Sequence, residues 1–288
     1  MADTELIRRV EAALGARLQA VTSLPVGFGL AGMAGTLSDG RKVAVKAGTG
    51  QNQQDLTLEA FMLEALRRES NLPVPEVYFA APDLLVMAFI ENAGSVNTQK
   101  AEHHAAELIA TLHMTPRPSF GYECDTRIGS LPQPNPPSDR WIPFFRDKRL
   151  LAMAQAARRE GRLPGAYLSR IEALASRLEE HLLEPRFPSL LHGDLWTGNV
   201  LVRNDRIAGF VDPAIYYGHP EIELAFSTMF GTFGAAFFDA YEALTPLEPG
   251  FHEKRCGIYN LYPRLVHVRL FGSAYLGGID GTLRELGF

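Results

Sequence analysis

The stretch His192-Gly193-Asp194-Leu195-Trp196-Thr197-Gly198-Asn199, followed by Val211-Asp212-Pro213, decides how the rest of the chain is read. Phosphoryl transfer needs a carboxylate to orient or deprotonate the attacking hydroxyl. It also needs an amide oxygen and a second carboxylate on the metal that bridges the phosphates. A kinase catalytic loop has the form His-x-Asp-x-x-x-x-Asn, and this stretch reproduces its spacing, with strand-like Asn199–Val202 and Ile207–Val211 leading to Asp212. A turn whose Asp and Asn bond only their own backbone is the plainer alternative. Three polar residues at the expected spacings beside strands favour the catalytic reading, with Asp194 as base and Asn199 and Asp212 as metal ligands. His192 is assigned a packed, hydrogen-bonded scaffold role.

Upstream of that loop, Lys46 ends the apolar run Val43-Ala44-Val45, in the manner of the strand lysine that contacts the α- and β-phosphates of ATP. In the next helical pattern Leu56, Glu59, Leu63 and Leu66 share one face, whereas Glu64 lies with Arg67 and Arg68 on the other. A carboxylate on an apolar stripe is costly unless paired, and Lys46 is the natural cation for Glu59. Gly27-Phe28-Gly29-Leu30-Ala31-Gly32, with Gly35 beyond, precedes the Lys46 strand. Such glycines let backbone N–H groups approach phosphates, and Gly32 and Gly35 are carried forward as nucleotide contacts, with the phosphate-touching glycine left open. There is no Gly-Lys-Ser/Thr, which excludes a Walker-type loop. Leu84–Glu91 reads as the strand entering a hinge, where the backbone around Met87, Ala88, Phe89 and Ile90 meets adenine.

Trp196 stands two residues beyond the proposed base. It either packs as core or presents its face to a substrate; aromatic faces suit sugar C–H surfaces and, through cation–π contact, amines. Its place on a catalytic loop favours the substrate.

Around these motifs, helical periodicity runs through Leu6, Ile7, Val10, Leu14 and Leu18 behind an Asp3/Thr4 cap, then β-type runs extend from Val21 to Gly48. Helical patterns return at Thr98–His113, Phe144–Arg159 and Gly165–Leu183, and again from about Glu221. Prolines from Pro116 to Pro143 predict a mostly extended segment. The expected fold is α+β, a bilobal protein-kinase-like arrangement. Residues 1–91 would form a small β-rich nucleotide-binding lobe, and residues 92–288 a larger, mainly helical catalytic and substrate-binding lobe.

Hydrophobic residues make up 46% and charged ones 21%, which is ordinary for a soluble globular chain. A net charge of −5 argues against non-specific binding to nucleic acid or to an anionic membrane. Cys124 and Cys256 form no zinc motif and read as reduced thiols. Met1-Ala2-Asp3-Thr4-Glu5 has neither the basic nor the apolar region of a secretory signal, and no apolar run approaches the ~20 residues of a membrane span. The expectation is a cytoplasmic protein, as a monomer.

With these motifs in place, the chain resembles the fructosamine-3-kinase (ketosamine-3-kinase) family, within the aminoglycoside phosphotransferase-like kinases. The resemblance takes in His192–Asn199 with its tryptophan, Tyr217-Gly218-His219-Pro220-Glu221-Ile222-Glu223-Leu224-Ala225, and Ile128-Gly129 with Gln133-Pro134-Asn135. It continues through Trp141 to Leu150, Tyr259-Asn260-Leu261-Tyr262 and Leu270-Phe271-Gly272. It implies ATP- and Mg2+-dependent phosphorylation of the 3-hydroxyl of a ketosamine, such as a ribulosamine, erythrulosamine or fructosamine, free or on a glycated protein side chain. That is a deglycation, or protein-repair, chemistry. On this analogy Asp194 activates the hydroxyl, Lys46 with Glu59 orders the phosphates, Trp196 lies against the sugar, and Glu221 and Glu223 brace the loop after Asp212. Two departures stand out: Met33 with no cysteine in the glycine-rich loop, and Ala88 where relatives often carry glutamate. An aminoglycoside or other small-molecule hydroxyl phosphotransferase would use the same Asp/Asn/Asp set. A pseudokinase binding module would not need the complete set.

Overall fold

A computed structural model of the chain describes residues 4–27, 29–48 and 55–288. Asp3 of the expected cap and Phe28 of the glycine-rich run lie outside them. The chain falls into two compact units, Met1–Val96 with Asn199–Pro213, and Asn97–Gly198 with Ala214–Phe288.

The first unit is built on a five-stranded antiparallel sheet of order β1-β2-β3-β5-β4, made of β1 (Leu18–Ser23), β2 (Leu30–Leu37), β3 (Lys42–Gly48), β4 (Val77–Ala81) and β5 (Leu84–Ala88). Helix α1 (Thr4–Leu14) closes one face, where Leu6 and Val10 pack with Met33, Val43, Val45 and Val86. Helix α2 (Leu56–Glu69) closes the other, with Leu56, Ala60 and Leu63 against Ala44, Leu85 and Met87. Because β3 is central and covered on both faces, its residues from Val43 to Ala47 are all buried, which explains the nearly unbroken apolar run. The helical periodicity extended to Leu18, yet α1 stops at Leu14. Gly15 at φ 65° ends it, its N–H donating to the Glu11 carbonyl, and Leu18 begins β1 instead.

The boundary expected after Glu91 differs from this division, which runs on to Val96 and takes in a later hairpin, β6 (Val200–Arg203) and β7 (Arg206–Phe210). Hydrogen bonds supply the reason. Ala93 N–H donates to the Val202 carbonyl at 2.8 Å and Val202 N–H to Asn92 Oδ1 at 3.0 Å. Phe210 N–H donates to the Pro73 carbonyl at 2.8 Å. Asn204 and Asp205 make the hairpin turn with φ of 53° and 55°, a left-handed conformation that Asn and Asp tolerate.

The second unit is mainly helical. Helix α3 (Gln99–His113), capped by Thr98, packs on α5 (Ala235–Leu244), and α4 (Pro220–Met229) packs on α6 (Cys256–Phe271), which also meets α7 (Leu276–Glu285). The proline-rich segment carries a short hairpin, Thr126–Ile128 with Leu131–Gln133, so it is more ordered than its prolines predicted. Buried side chains explain that order. Gln133 Nε2 donates to Thr126 Oγ1 and to the Ala214 carbonyl, both at 2.9 Å, and Tyr262 donates to Gln133 Oε1 at 2.8 Å. The patterns at 144–159 and 165–183 are also broken: a π-helical turn occupies Phe145–Leu151, and the second helix ends at Ala175.

Candidate active site

In the first unit Lys46 is held in the central strand, directly opposite Gly32 on β2 and Leu85 on β5. Only 6% of it is exposed. Its Nζ donates to Glu59 Oε1 at 2.7 Å, from the first turn of α2, and also to Asp212 Oδ1. The Lys46–Glu59 pair expected from helix periodicity is therefore made, and the structure adds Asp212 to it. Asp212 sits at φ 53°, so the backbone is turned into the left-handed region where its carboxylate meets the lysine.

One cation thus serves two carboxylates. Burial alone would depress the lysine, but Glu59 and Asp212 outweigh it and raise its pKa. Burial, with Asp212 adding repulsion, pushes Glu59 up to about 7 against the pull of Lys46. The sign of the consequence is fixed by linkage. A carboxylate raised above its unfolded value binds more protons folded than unfolded, so its contribution falls as pH rises from about 4.5 to about 7. Glu59→Gln should flatten that part of the unfolding profile, by about 3 kcal/mol at most between pH 5 and 8. Chemical denaturation at several pH values checks this; parallel wild-type and variant profiles would show that Glu59 does not titrate there.

Asn199 and Asp212 come together at the two ends of the β6–β7 hairpin. Val211 N–H donates to the Asn199 carbonyl at 3.0 Å, and Asn199 Nδ2 lies 3.5 Å from the Asp212 carbonyl. An amide oxygen and a partly exposed carboxylate are hard oxygen donors, the set Mg2+ takes alongside phosphate oxygens. The residues present fit that ion.

Gly32 and Gly35 lie inside β2. A β-carbon on Gly32 would fall 2.3 Å from the Leu24 carbonyl oxygen, and one on Gly35 2.7 Å from that of Ala20. Close strand approach therefore accounts for both glycines. The hinge segment is narrowed by its own hydrogen bonds. Ala88 N–H is spent on the Glu76 carbonyl and Phe89 N–H on that of Lys42, while Ile90 N–H has no partner among the described residues. Met87 is buried in β5, its side chain in the core beneath α2.

The second unit carries Asp194. Gly193 before it has φ 85°, and a β-carbon there would sit 2.0 Å from the Ala214 carbonyl oxygen, so only glycine fits. Its N–H donates to Glu223 Oε1 at 2.6 Å. Glu223 Oε2 meets His113 Nε2 at 2.9 Å, and His113 Nδ1 meets the Tyr241 hydroxyl at 2.7 Å. Burial would raise the Glu223 pKa, but the bonds to His113 and Gly193 hold it below the usual carboxylate value. The bracing expected of Glu223 thus falls on the residue before Asp194, not on the loop after Asp212. Glu221 is tied instead to Arg255, at 2.6 and 2.7 Å. His192 is fully buried and accepts the Ala214 N–H on its carbonyl at 2.8 Å, as a scaffold residue would.

Trp196 is 38% exposed and so is not a core residue. Its ring lies over Gly198, where a β-carbon would come within 2.4 Å of it, and against Phe230 at 5.7 Å. Phe230 in turn meets His267 at 5.1 Å, and His267 meets Tyr275 at 4.8 Å and Phe271 at 5.4 Å. This half-exposed aromatic platform draws on four separate stretches. Only Trp196 could be recognised from its own motif.

A family model described as fructosamine kinase matches residues 3–286. A candidate ketoamine kinase from Synechocystis is 35% identical over 86% of this chain and 84% of its own length. The chloroplastic protein-ribulosamine 3-kinase of Arabidopsis thaliana is 36% identical over 79% of this chain and 72% of its own. Among solved structures, a candidate fructosamine-3-kinase from Thermobifida fusca superposes with a TM-score of 0.87 at 30% identity, covering 97% of each chain. A macrolide 2'-phosphotransferase at 20% identity and TM-score 0.66 shares the fold, which is that of the protein-kinase-like phosphotransferases.

Proposed function

Since the chain belongs to the fructosamine kinase family, we propose that it is an ATP-dependent ketosamine 3-kinase, acting on the 3-hydroxyl of a sugar joined to an amine. The observation that carries this reading is the buried Lys46–Glu59–Asp212 cluster, which a binding module has no need to maintain. Kinase chemistry is mostly positioning and charge stabilisation.

In that chemistry Asp194 orients the acceptor hydroxyl and takes its proton. Lys46 presents a permanent positive charge to the nucleotide phosphates, and Glu59 fixes the direction of its ammonium group. Asn199 and Asp212 would hold Mg2+, which neutralises charge on the transferring phosphate when bound. Ile90 N–H is the hinge donor left for adenine, with Met87, Ala88 and Phe89 forming the strand that delivers it. Gly32 and Gly35 keep the β2 backbone low enough for phosphate to lie against it. Trp196, with Phe230 and His267 beside it, takes the sugar face and the amine. A cytoplasmic location and deglycation of small ketosamines or glycated side chains follow from this assignment. Among the described residues no helix is long and apolar enough to cross a membrane.

The test is incubation with Mg-ATP and a panel of ribulosamine, erythrulosamine, fructosamine and aminoglycoside acceptors, following phosphate on the acceptor. Transfer to a ketosamine is expected; modification of aminoglycosides alone would overturn the assignment. For Trp196→Ala the acceptor KM should rise about tenfold or more, in line with the loss of a stacking or cation–π contact, with the KM for ATP little changed. An unchanged acceptor KM would remove Trp196 from the acceptor site.

A further inference from the structure

A backbone carbonyl buried outside a strand ladder needs a donor from elsewhere. Ala214 and Ile215, both buried, lie just ahead of the short strand Tyr216–Gly218 and present two such carbonyls. The proline-rich hairpin meets both. Gln133 Nε2 donates to the Ala214 carbonyl at 2.9 Å, and Thr126 Oγ1 donates to that of Ile215 at 3.1 Å.

The sense of each bond is fixed by its neighbours. A carbonyl only accepts, so the amide nitrogen of Gln133 must face Ala214. Its Oε1 then faces Tyr262, whose hydroxyl donates at 2.8 Å. Thr126 spends its one hydroxyl proton on Ile215 and accepts from Gln133 Nε2 at 2.9 Å and from Asn135 Nδ2 at 2.8 Å. Arg149 closes the set, donating to Asn135 Oδ1 at 2.6 Å and to the Pro134 carbonyl at 2.7 Å. All five side chains are buried, and a polar network satisfied at so many points specifies one arrangement.

Its target is the catalytic loop. The Ala214 N–H donates to the His192 carbonyl at 2.8 Å, and the Ala214 carbonyl oxygen lies where a β-carbon on Gly193 would be 2.0 Å away. No side chain cushions that contact, so a displaced carbonyl displaces the backbone of Gly193 and, with it, Asp194. Glu223 holds the Gly193 N–H at 2.6 Å. The residue before the base is thus held by a carboxylate on its N–H and by a carbonyl packed against its α-carbon, and Gln133 fixes the carbonyl.

We propose that Gln133 is a positioning residue for phosphoryl transfer, holding Ala214, and through it Gly193 and Asp194, in the geometry that presents the base to the acceptor hydroxyl. Tyr262 sets the direction of the Gln133 amide. Tyr262 belongs to α6, the helix that also carries His267 and Phe271 of the aromatic platform, so one hydrogen bond ties that helix to the support of the catalytic loop. The role rests on the reading of Asp194 as the base.

Gln133→Met keeps the side-chain length and removes donor and acceptor together, whereas Tyr262→Phe removes only the hydroxyl that orients the amide. With a ketosamine acceptor, Gln133→Met should lower kcat about 10–100-fold and leave the KM for ATP within about twofold, as expected for a misplaced catalytic group. Tyr262→Phe should lower kcat about threefold to tenfold. A second readout needs no turnover. Exchange of the Gly193 amide hydrogen should quicken about tenfold or more in Gln133→Met, while the amides of α7 exchange as in wild type. If the wild-type chain phosphorylates no ketosamine, the functional reading fails, and Gly193 exchange still decides whether Gln133 holds the loop. Wild-type kcat in a folded Gln133→Met, unchanged Gly193 exchange, or exchange quickened equally in α7 would each overturn the proposal. Should Gln133→Met not fold, Tyr262→Phe decides on the same two readouts.

Discussion

Asp194→Ala is expected to lower kcat toward a ketosamine by about 10²–10⁴-fold, the range over which a positioned general base contributes. The KM for ATP should hardly move, because Lys46, Glu59 and Asp212 belong to a different unit of the chain from Asp194. The fold should also hold. Gly193, not Asp194, carries the backbone bond to Glu223, and Asp194 itself is only partly buried. Asp194→Asn separates proton transfer from positioning, since an amide can orient a hydroxyl but cannot accept its proton at neutral pH. If Asn restores activity that Ala loses, the role is orientation. Retention of more than about a tenth of wild-type kcat by both variants would take Asp194 out of the chemistry altogether.

The second large effect is on stability. Arg255 and Glu221 are 4% and 2% exposed. The guanidinium donates twice to that carboxylate and also to the carbonyls of Pro249 and Glu248, at 2.8 and 2.6 Å. Arg255→Met leaves a buried carboxylate and two carbonyls without donors, and breaking such a pair costs about 3–5 kcal/mol. For a chain of this size that lowers Tm on the order of 10 °C. Replacing both partners removes the stranded charge, so Arg255→Met with Glu221→Leu should recover most of the loss. A single variant that melts with wild type would show the pair to be dispensable; a double variant worse than the single would show that the carboxylate has another partner.

Both effects concern residues of very different legibility. Asp194, Asn199 and Asp212 stand out because a catalytic loop fixes short spacings along one stretch of chain. The Lys46–Glu59 pair was readable for a related reason: a carboxylate on an apolar helix face announces that a cation must be near. Arg255 gives no such sign, since its partner lies on another helix and neither residue interrupts a regular pattern. The same holds for Glu223, whose grip on Gly193 spans a strand, a hairpin and a helix start.

The expected boundary and the division into units differ for a physical reason of the same kind. β6 and β7 follow the catalytic loop in sequence, yet their backbone groups are satisfied by Pro73, Asn92 and Ala93. Periodicity sees strands but not which edge they join. Similarly, the glycines at 32 and 35 were read as phosphate contacts from their pattern and their place before Lys46, and the strand approach at Leu24 and Ala20 requires them on separate grounds. The aromatic platform around Trp196 was invisible because Phe230, His267 and Tyr275 each look, along their own segments, like ordinary apolar punctuation.

The protein has two tryptophans, and their surroundings are opposite. Trp141 is fully buried, with its indole nitrogen donating to the Tyr259 hydroxyl at 3.0 Å, whereas Trp196 lies half in solvent over Gly198. Their emission should therefore separate, a blue component shielded from acrylamide and a red component open to it. A sugar settling on the indole of Trp196 would shield the red component alone, so acceptor docking becomes an optical signal that needs neither label nor turnover.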